Sequence, residues 1–506
     1  MGSQLFRVKS VDKLLADADT AEHRLKKTLG PWSLTALGVG AIIGTGIYIL
    51  TGTAAAGEVA EYPSIFKAPV LQILLHGHRA AGASGRPGAG PAIALSFVLV
   101  AVVCAFAALC YAELASMIPI AGSAYTYTYA TLGELAAWMM GWDLVLEYAV
   151  SNMAVAVGFS AYASSLLETF GLHLPAFLSN PAYSPASGWH WNFNVVGFLV
   201  VMLLTVLLVI GIRESARANT IMVVIKLAVL LVFIYAASKY IQPANWKPFM
   251  PNGWQGVLTG SAIVFFTYIG FDSVSTAAEE CRNPQRDVPI GILCSLGICT
   301  VLYVGVAVVL TGIQPWPSLR NAAPVANALQ AIGLERVQQW VTVGALMGMV
   351  SSLLVFQLGQ ARVWFSMSRD GLLPKAFSRV HPKFRTPHVA TLMAGFFVGI
   401  PAGIFDIGTL ADLSNIGTLF AFLLVSLSVL ILRRTQPDRP RGFRVPFVPW
   451  LPIASMLCCL LLMVGLTLEN WIRFFVWLGI GFVVYFLYSR KHSEFARQPA
   501  GGDPLR

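Results

Sequence analysis

The feature that most constrains this chain is a series of apolar runs, each about 20 residues long, enough to cross a hydrocarbon core roughly 30 Å thick. These runs recur along most of the 506 residues, and only 11% of the residues are charged. An ordinary soluble domain is about 25% charged. A very hydrophobic soluble enzyme would not need apolar runs of this length. The sequence therefore predicts an all-α integral membrane protein.

About twelve membrane spans are predicted, and their order gives the numbering used below. The predicted bounds in chain order are 33–55, 92–117, 136–166, 193–212, 218–238, 255–278, 288–312, 339–366, 388–404, 409–432, 447–467 and 471–489. Basic residues are concentrated in the connections on the N-terminal side, with 24 Lys and Arg there and 8 on the other side. Cytoplasmic loops carry such an excess. A multi-pass protein of the cell (inner or plasma) membrane with both termini in the cytoplasm is expected.

The spans suggest an organisation into two halves and a C-terminal addition. The predicted parts are a tail at 1–30, a first five-helix repeat at 31–240 with an extracellular insertion at 58–90, a second five-helix repeat at 241–432, two additional helices at 433–489 and a cytoplasmic tail at 490–506. Val8, Val11 and Leu14 fall at helical spacing among basic residues. This pattern predicts a short amphipathic helix on the membrane surface, with a disordered tail as the alternative.

No cofactor is expected from the pattern of polar residues. His76 and His78 in the insertion lack further ligands nearby, so they indicate a solvated loop better than a metal site. The seven cysteines show no CxxC pair and no cluster with histidine, so neither a metal nor a disulfide is expected. The net charge of +10 is spread over short loops, so no nucleic-acid partner is expected.

The first span contains four glycines between residues 38 and 47. Each costs about 1 kcal/mol relative to alanine inside a helix, and in hydrocarbon a freed backbone group must find another partner. A break here is favourable if the freed amides face a ligand, because a helix N-terminus attracts an anion such as a carboxylate. Close helix packing through small residues explains the same glycines, and both interpretations stay open.

The sixth span places Gly270 and Asp272 in the middle of an apolar run. Spans interrupted by glycine at matching positions of two five-span halves are typical of inverted-repeat transporters, which bind substrate between them. Spans 1 and 6 form such a pair. Asp272 is a possible gating residue, and the alternative is a structural residue that is hydrogen-bonded near a helix end.

Two further charged residues lie inside spans. Lys226 stands alone in the apolar fifth span, about 12 Å from its cytoplasmic start. Removal from water disfavours an ammonium group, so such a lysine can bind and release a proton near neutral pH; snorkelling to the interface is the alternative. Glu147 in span 3 shares a helix face with Asp143 and is the better candidate to line a cavity.

Four stretches carry a resemblance to a known family. They are LGVGAIIGTGIYILTG at 37–52, CYAELASMIPIAGSAYTYTYATLGEL at 110–135, GWDLVLEYAV at 141–150 and FFTYIGFDSVSTAAEECRNPQRDVPIGI at 265–292. They closely resemble the cationic amino acid transporter branch of the amino acid–polyamine–organocation superfamily, from about residue 10 to 490. The resemblance implies a five-plus-five inverted-repeat (LeuT-like) fold with broken helices 1 and 6 and two additional C-terminal helices.

The resemblance also implies a substrate site and a coupling site. The residues implied for the substrate are Gly44, Thr45 and Gly46 for its carboxylate, the carbonyls of Ile42, Phe266 and Ile269 for its ammonium, and Phe271 or Phe266 as an outer lid. In sodium-coupled relatives of this fold an ion lies between span 1 carbonyls and two span 8 hydroxyls. Here the implied occupant is the Lys226 ammonium, near Gly40, Ile43, Ser351 and Ser352. This arrangement supports coupling to protons rather than sodium.

The expected function is import of L-amino acids, cationic or broad-range, by proton symport through the lipid bilayer. An exchanger or a sensor of the same fold is the alternative. A membrane enzyme would need a catalytic constellation at a membrane face, and none is visible in the sequence. A channel would need a continuous pore.

Overall fold

The computed structural model describes residues 5–18, 25, 27–59, 65–77, 85–169, 171–184, 188–321, 323–405 and 407–497. Within these residues, nine helices are long and apolar enough to cross a membrane, and three shorter apolar helices accompany them. Each of the twelve corresponds to one predicted span. The prediction of an all-helical protein with many membrane spans is therefore confirmed.

The bounds of the spans lie within a few residues of the predicted ones. In chain order they are Pro31–Ala56, Gly90–Met117, Glu134–Glu168, Val195–Ile210, Ala216–Ser238, Gly253–Thr276, Pro284–Ile313, Glu335–Arg369, His388–Ile404, Ser414–Thr435, Trp450–Val464 and Leu468–His492. The tenth belongs to a longer helix, Ile407–Thr435.

The connections contain short helices and two small antiparallel sheets. The α-helices are Val11–Ala18, Val70–His76, Ala124–Tyr129, Ala176–Ser179, Pro324–Ala331 and Glu494–Arg497, and the 3₁₀-helices are Ile65–Lys67, Pro243–Trp246, Trp316–Leu319 and Lys375–Ser378. Gly57–Val59 pairs with Gly85–Pro87, and Tyr183–Ser184 pairs with Gly188–Trp189. Thus the two ends of the predicted insertion at 58–90 are joined by strand pairing. Residues 60–64 and 78–84, including His78, lie outside the described residues.

Burial separates a central group of spans from a lipid-facing periphery. On span 4, Leu199, Leu203, Val206 and Ile210 are all exposed and recur at helical spacing, so they form an apolar stripe for the surrounding lipid. Spans 1 and 6 are almost wholly enclosed by the other helices. The two glycine-interrupted spans therefore lie at the centre of the molecule. The division into repeats at 31–240 and 241–432 stays a prediction.

The predicted N-terminal helix is present at Val11–Ala18, but it does not present its apolar side to a membrane. Val11 and Leu14 are buried against the rest of the protein. Lys9, just before the helix, is also buried and pairs with Asp370 at the end of span 8. The expectation of a membrane-surface helix is therefore wrong for these residues, because specific ion pairs dock the segment onto the bundle.

Candidate functional site

The first span is broken at the predicted glycines. Its first helix, Pro31–Ile42, ends where Ile43 adopts a non-helical conformation with ψ 86°. The chain turns at Gly44 and resumes as a π-helical turn, Gly46–Leu50. Amides at the start of a helix have no acceptor within it. The break therefore leaves carbonyls pointing out of the first helix and amides pointing out of the second.

The carbonyls of the break are bound by side chains of spans 5 and 8. The buried Lys226 Nζ donates to Gly40 O at 2.9 Å, to Ile43 O at 3.0 Å and to Ser351 Oγ at 3.3 Å. Ser352 Oγ lies within 2.8 Å of both Gly40 O and Ala41 O. The structure thus brings together the residues that the resemblance implied around Lys226. Ser352 lies beside the same carbonyls rather than on the lysine.

Asn219 completes this coupling site, and the sequence reasoning missed it. Ser351 Oγ donates to Asn219 Oδ1 at 2.6 Å, and Asn219 Nδ2 donates to Ala36 O at 2.9 Å. Asn219 lies seven residues before Lys226, so both project from one face of span 5. That spacing of two polar residues is the sequence signal that would have revealed it.

The sixth span is broken next to the first. Its helix Gly253–Val264 continues as a 3₁₀ turn, Phe265–Tyr268, and the chain then leaves the helical path until Ser273. Gly270 has φ +123°, and a Cβ added there would lie 2.5 Å from the Cβ of Ala41. Only glycine combines this conformation with such a close approach. The glycine therefore lets the two breaks touch.

Tyr303 of span 7 bridges the two breaks and was not predicted. Its hydroxyl lies 2.6 Å from Ile42 O and 2.9 Å from Thr267 O. A tyrosine hydroxyl has one hydrogen to donate, so the two carbonyls share it. Of the carbonyls implied for the substrate ammonium, Ile42 O is therefore already engaged, and Phe266 O accepts a bond from Ile269 N at 3.3 Å.

The residues implied for the substrate carboxylate are closely packed. An added Cβ at Gly44 would lie 2.6 Å from Ser352 Oγ, and one at Gly46 would lie 2.7 Å from Thr267 Cγ2. The hydroxyl of Thr45 is buried without a hydrogen-bond partner among the described residues. The glycines therefore allow spans 8 and 6 to approach the break, while Thr45 carries an unused polar group.

Two acidic side chains, Asp272 and Glu147, are buried in the same region. Asp272 accepts bonds from Tyr148 OH at 2.6 Å and from Gly270 N at 3.2 Å. It therefore ties span 3 to the break of span 6. Glu147 is buried, and neither of its carboxylate oxygens has a hydrogen-bond partner among the described residues. The nearby hydroxyl of Thr418 donates instead to Ser414 O at 3.1 Å.

The two candidate lid residues occupy different surroundings. Phe271 is buried between Tyr111 and Phe422, with ring centroids 6.0 and 5.0 Å away. Phe266 lies in the 3₁₀ turn before the break and is also buried. Span 6 runs from outside to inside in the predicted topology, so Phe266 lies on the outer side of the break. The geometry therefore favours Phe266 over Phe271 as an outer lid.

Ion pairs connect helix ends on the side of the breaks away from the candidate outer lid. Glu279 accepts bonds from Arg369 at 3.1 Å and from Ala121 N at 3.0 Å, and Glu280 pairs with Arg362. These contacts join the end of span 6 to span 8 and to the connection after span 2. They close the predicted cytoplasmic side of the candidate site.

Comparison with known proteins identifies the family. Residues 29–493 match the family described as amino acid permease. The branched-chain amino acid permease BcaP of Bacillus subtilis (strain 168) is 46% identical over 98% of this chain and 99% of its own length. The methylthioribose transporter of the same organism is 44% identical over 97% of this chain and 99% of its own length.

Plant proteins of the cationic branch are also related, at lower identity. The vacuolar cationic amino acid transporter 4 of Arabidopsis thaliana is 37% identical over 86% of this chain and 68% of its own length. The resemblance therefore holds for the superfamily, whereas the two bacterial relatives are more similar than this member of the cationic branch. With twelve apolar helices among the described residues and a match over nearly the full length, the chain belongs to the amino acid permease family and is a multi-pass membrane transporter, not an enzyme.

Proposed function

We propose that this permease imports an L-amino acid together with a proton, binding the substrate between the breaks of spans 1 and 6. The observation that carries the proposal is the buried Lys226 amino group, which donates to two carbonyls of the span 1 break. In the structure as described, no carboxylate forms an ion pair with it. An amine held by neutral groups alone is suited to gain and lose its charge.

Protonation of Lys226 changes how firmly three spans are held together. As an ammonium it offers three donors to Gly40 O, Ile43 O and Ser351 Oγ. As a neutral amine it has one donor fewer and no charge, so one of these bonds is lost and the others weaken. The proton therefore biases the position of span 1 relative to spans 5 and 8. Such a bias couples proton binding to the opening of the site.

The proposed substrate site uses backbone groups of both breaks, of which Gly44 N, Ile42 O and Phe266 O are hydrogen-bonded within the protein in the described structure. The substrate carboxylate binds the amides of Gly44, Thr45 and Gly46 at the start of the resumed helix, where an anion is favoured. The ammonium binds the carbonyls of Ile42, Phe266 and Ile269, taking over the bond that Tyr303 makes to Ile42 O. These contacts recognise the α-carboxylate and α-ammonium groups, which all amino acids share.

An apolar substrate side chain fits the surroundings best. Val155, Phe266 and Phe271 are buried beside the breaks. The relative at 46% identity is named a branched-chain amino acid permease. Both observations support a neutral, branched-chain or broad-range preference.

A cationic substrate is the second candidate, and Glu147 is the observation that favours it. Its carboxylate has no hydrogen-bond partner in the described part of the chain, and several relatives are named cationic amino acid transporters. However, Glu147 is two helical turns from Val155, a rise of about 12 Å, which is far for direct contact with a bound side chain.

The test is uptake into proteoliposomes that contain the purified full chain. An inward proton gradient without sodium should drive accumulation of labelled amino acid, and competition by all twenty amino acids should define the side-chain class. Strict dependence on sodium would contradict proton coupling. Counterflow without net accumulation would indicate an exchanger, and binding without flux would indicate a sensor.

A separate experiment on cells that express the full chain tests the proposed topology, with both termini in the cytoplasm of the plasma or inner membrane. A tag at either end of the chain should be inaccessible to antibody in intact cells and accessible after permeabilisation. Staining of intact cells would contradict the orientation.

A further inference from the structure

A cavity of about 580 Å³ lies away from the candidate site, where the starts of spans 1 and 5 meet the connection after span 6. Two arginines, Arg217 and Arg282, line it, and no acidic side chain does. Both arginines are exposed, and neither forms an ion pair with a side chain that the structure describes. Among the described residues, the lining of the cavity therefore carries a net positive charge.

Hydroxyl groups add to the polar side of this cavity. Thr28, Ser33 and Thr220 line it together with the arginines. The hydroxyl oxygen of Thr28 is buried without a hydrogen-bond partner among the described residues. Of the two threonines, Thr220 Oγ1 already donates to Ala216 O at 2.8 Å, so the Thr28 hydroxyl is the one left to donate. This hydroxyl and two guanidinium groups can donate hydrogen bonds to a phosphate, and guanidinium binds phosphate through paired hydrogen bonds.

The other side of the cavity is apolar and faces the lipid. Ile221 lines the cavity and is 62% exposed, and Trp32 at the start of span 1 is 82% exposed. Tryptophan is enriched where hydrocarbon meets the headgroups. The cavity therefore opens towards the bilayer at headgroup depth, so that one molecule can present a phosphate to the arginines and acyl chains to Ile221.

We propose that this cavity binds an anionic phospholipid of the cytoplasmic leaflet, with its phosphate between Arg217 and Arg282. The cytoplasmic leaflet carries the anionic lipids and attracts basic residues near its surface. The charge bias of the loops assigns the N-terminal side of the protein to that leaflet. A free phosphate compound shares the chemistry of the headgroup but has no acyl chains to contact the apolar side of the cavity.

The bound lipid connects to the moving parts through two short paths. Thr28 N and Leu29 N donate to Glu280 O at 2.8 and 3.0 Å, so the segment before span 1 is clamped to the connection after span 6. Thr220 is adjacent to Asn219, which holds Ser351 in the coupling site. A lipid across this junction therefore braces the start of spans 1 and 5 against the end of span 6.

The experiment is native mass spectrometry of the purified full chain with added phosphatidylglycerol, phosphatidylcholine of the same acyl chains, or inorganic phosphate. The unmodified protein should retain one phosphatidylglycerol in preference to phosphatidylcholine. R217Q/R282Q should retain it about tenfold more weakly, a loss of about 1.4 kcal/mol. R434Q/R444Q is the matched control, because both arginines are exposed on the same side and neither lines the cavity; it should behave as the unmodified protein.

Equal retention of phosphatidylglycerol by R217Q/R282Q would overturn the proposal, as would equal retention of phosphatidylcholine by the unmodified protein. Displacement of the lipid by an equal concentration of inorganic phosphate would overturn it as well, in favour of a soluble anion. If the double variant does not fold, the single variants R217Q and R282Q provide the test. Elution from gel filtration at the volume of the unmodified protein shows that they are folded. Lipid retention is measured without substrate or gradients, so its outcome is independent of the proposed transport function.

Discussion

Lys226 is the residue on which the proposed proton coupling depends. Lys226→Met keeps the length and the apolar stem but removes the donors to Gly40 O and Ile43 O. Uptake driven by an inward proton gradient should be lost, whereas equilibrium binding of substrate should remain. Uptake into proteoliposomes and binding by scintillation proximity would measure both quantities. Lys239→Met is the matched control, because Lys239 is exposed just after the same helix.

Undiminished proton-driven uptake by Lys226→Met would disprove this role. Loss of binding and uptake together, in a variant that still elutes from gel filtration as the unmodified protein does, would instead make Lys226 a structural support of the span 1 break.

Glu147 decides between the two side-chain classes. Glu147→Gln preserves shape and removes the charge of a buried carboxylate. Direct recognition of a cationic substrate predicts selective loss of arginine and lysine uptake, with leucine and valine spared. Because Glu147 lies about 12 Å, or two helical turns, along span 3 from Val155, we expect instead that the substitution changes the preference between cationic and neutral substrates little. Competition assays against a labelled neutral substrate measure the difference, and Glu168→Gln, an exposed position on the same helix, is the control.

The residues of the site were predictable from the sequence only in part. A charge inside an apolar span is costly and therefore conspicuous, which is why Lys226 and Glu147 were identified. Asn219 and Tyr303 were missed because amide and hydroxyl groups are unremarkable in such spans. Their backbone partners lie 183 and 261 residues away in the chain. Only the fold brings those partners within reach.

Among the elements, the broken first span makes the sharpest prediction. The carboxylate site that the resemblance implies predicts that Gly44→Leu fills this site with its side chain. The structure changes the reason, because a Cβ at Gly44 points at Ser352 of span 8, 2.6 Å away. Even Gly44→Ala should therefore force spans 1 and 8 apart, costing about 1–3 kcal/mol by overpacking and weakening substrate binding.

Thermal unfolding of the detergent-solubilised protein, with and without substrate, measures both effects of Gly44→Ala. Gly479→Ala in span 12 is the matched control, since nothing lies within 4 Å of an added Cβ there. Normal stability and normal binding in Gly44→Ala would show that the two spans do not need their close approach.

Elements that follow hydropathy were predictable, and those that depend on packing were not. The glycine patterns of spans 1 and 6 predicted breaks that the structure contains. The helices Ala124–Tyr129 and Pro324–Ala331 were not predicted. With six and eight residues, they are too short to give a hydrophobic period of their own.

At the scale of the whole molecule, segments near the two ends of the chain meet on the predicted cytoplasmic side. The buried Lys9 Nζ lies 2.8 Å from Asp370, 2.6 Å from Asp17 and 2.7 Å from Glu494. Tyr125 OH also donates to Asp370, at 2.5 Å. Hydropathy predicted the number and order of the spans, but it could not predict this contact between the terminal segments. Opposite charges near the two ends of the chain form no pattern within a short stretch of sequence, so their pairing is not visible there.

Lys9→Met should release the N-terminal helix, because it leaves carboxylates buried together without their cation. Breaking a buried ion pair costs about 3–5 kcal/mol, and the partly exposed Asp17 and Glu494 bring the expected cost towards the lower end. Limited proteolysis should cut the N-terminal segment of the variant faster than that of the unmodified protein. Lys27→Met, an exposed position in the same segment, should have no effect. Equal cleavage of all three would contradict the docking role.

The pH dependence of this docking follows from the charges. Burial by itself lowers the pKa of Lys9, but the carboxylates of Asp370, Glu494 and Asp17 raise it well above 10.5. Burial raises the pKa of Glu494, but Lys9 and Lys13 hold it below 4.5. The stability from Lys9 is complete below its ordinary pKa and is lost as pH rises through the raised value. That from Glu494 is complete above 4.5 and is lost as pH falls through the lowered value. Protease resistance should therefore be constant between about pH 5 and 9.

The bond that Tyr303 shares between two carbonyls has a consequence for how tightly transport follows its cargo. The single hydroxyl hydrogen of Tyr303 is divided between Ile42 O and Thr267 O, and Ile42 O also accepts from Gly44 N at 3.1 Å, so Tyr303 gives neither carbonyl a full hydrogen bond. The α-ammonium group of a bound amino acid has three N–H groups and can supply the missing hydrogen bonds to these carbonyls. In the proposed mechanism, the closed state is therefore less stable without substrate than with it. The missing hydrogen bond disfavours cycles without substrate, which would dissipate the proton gradient.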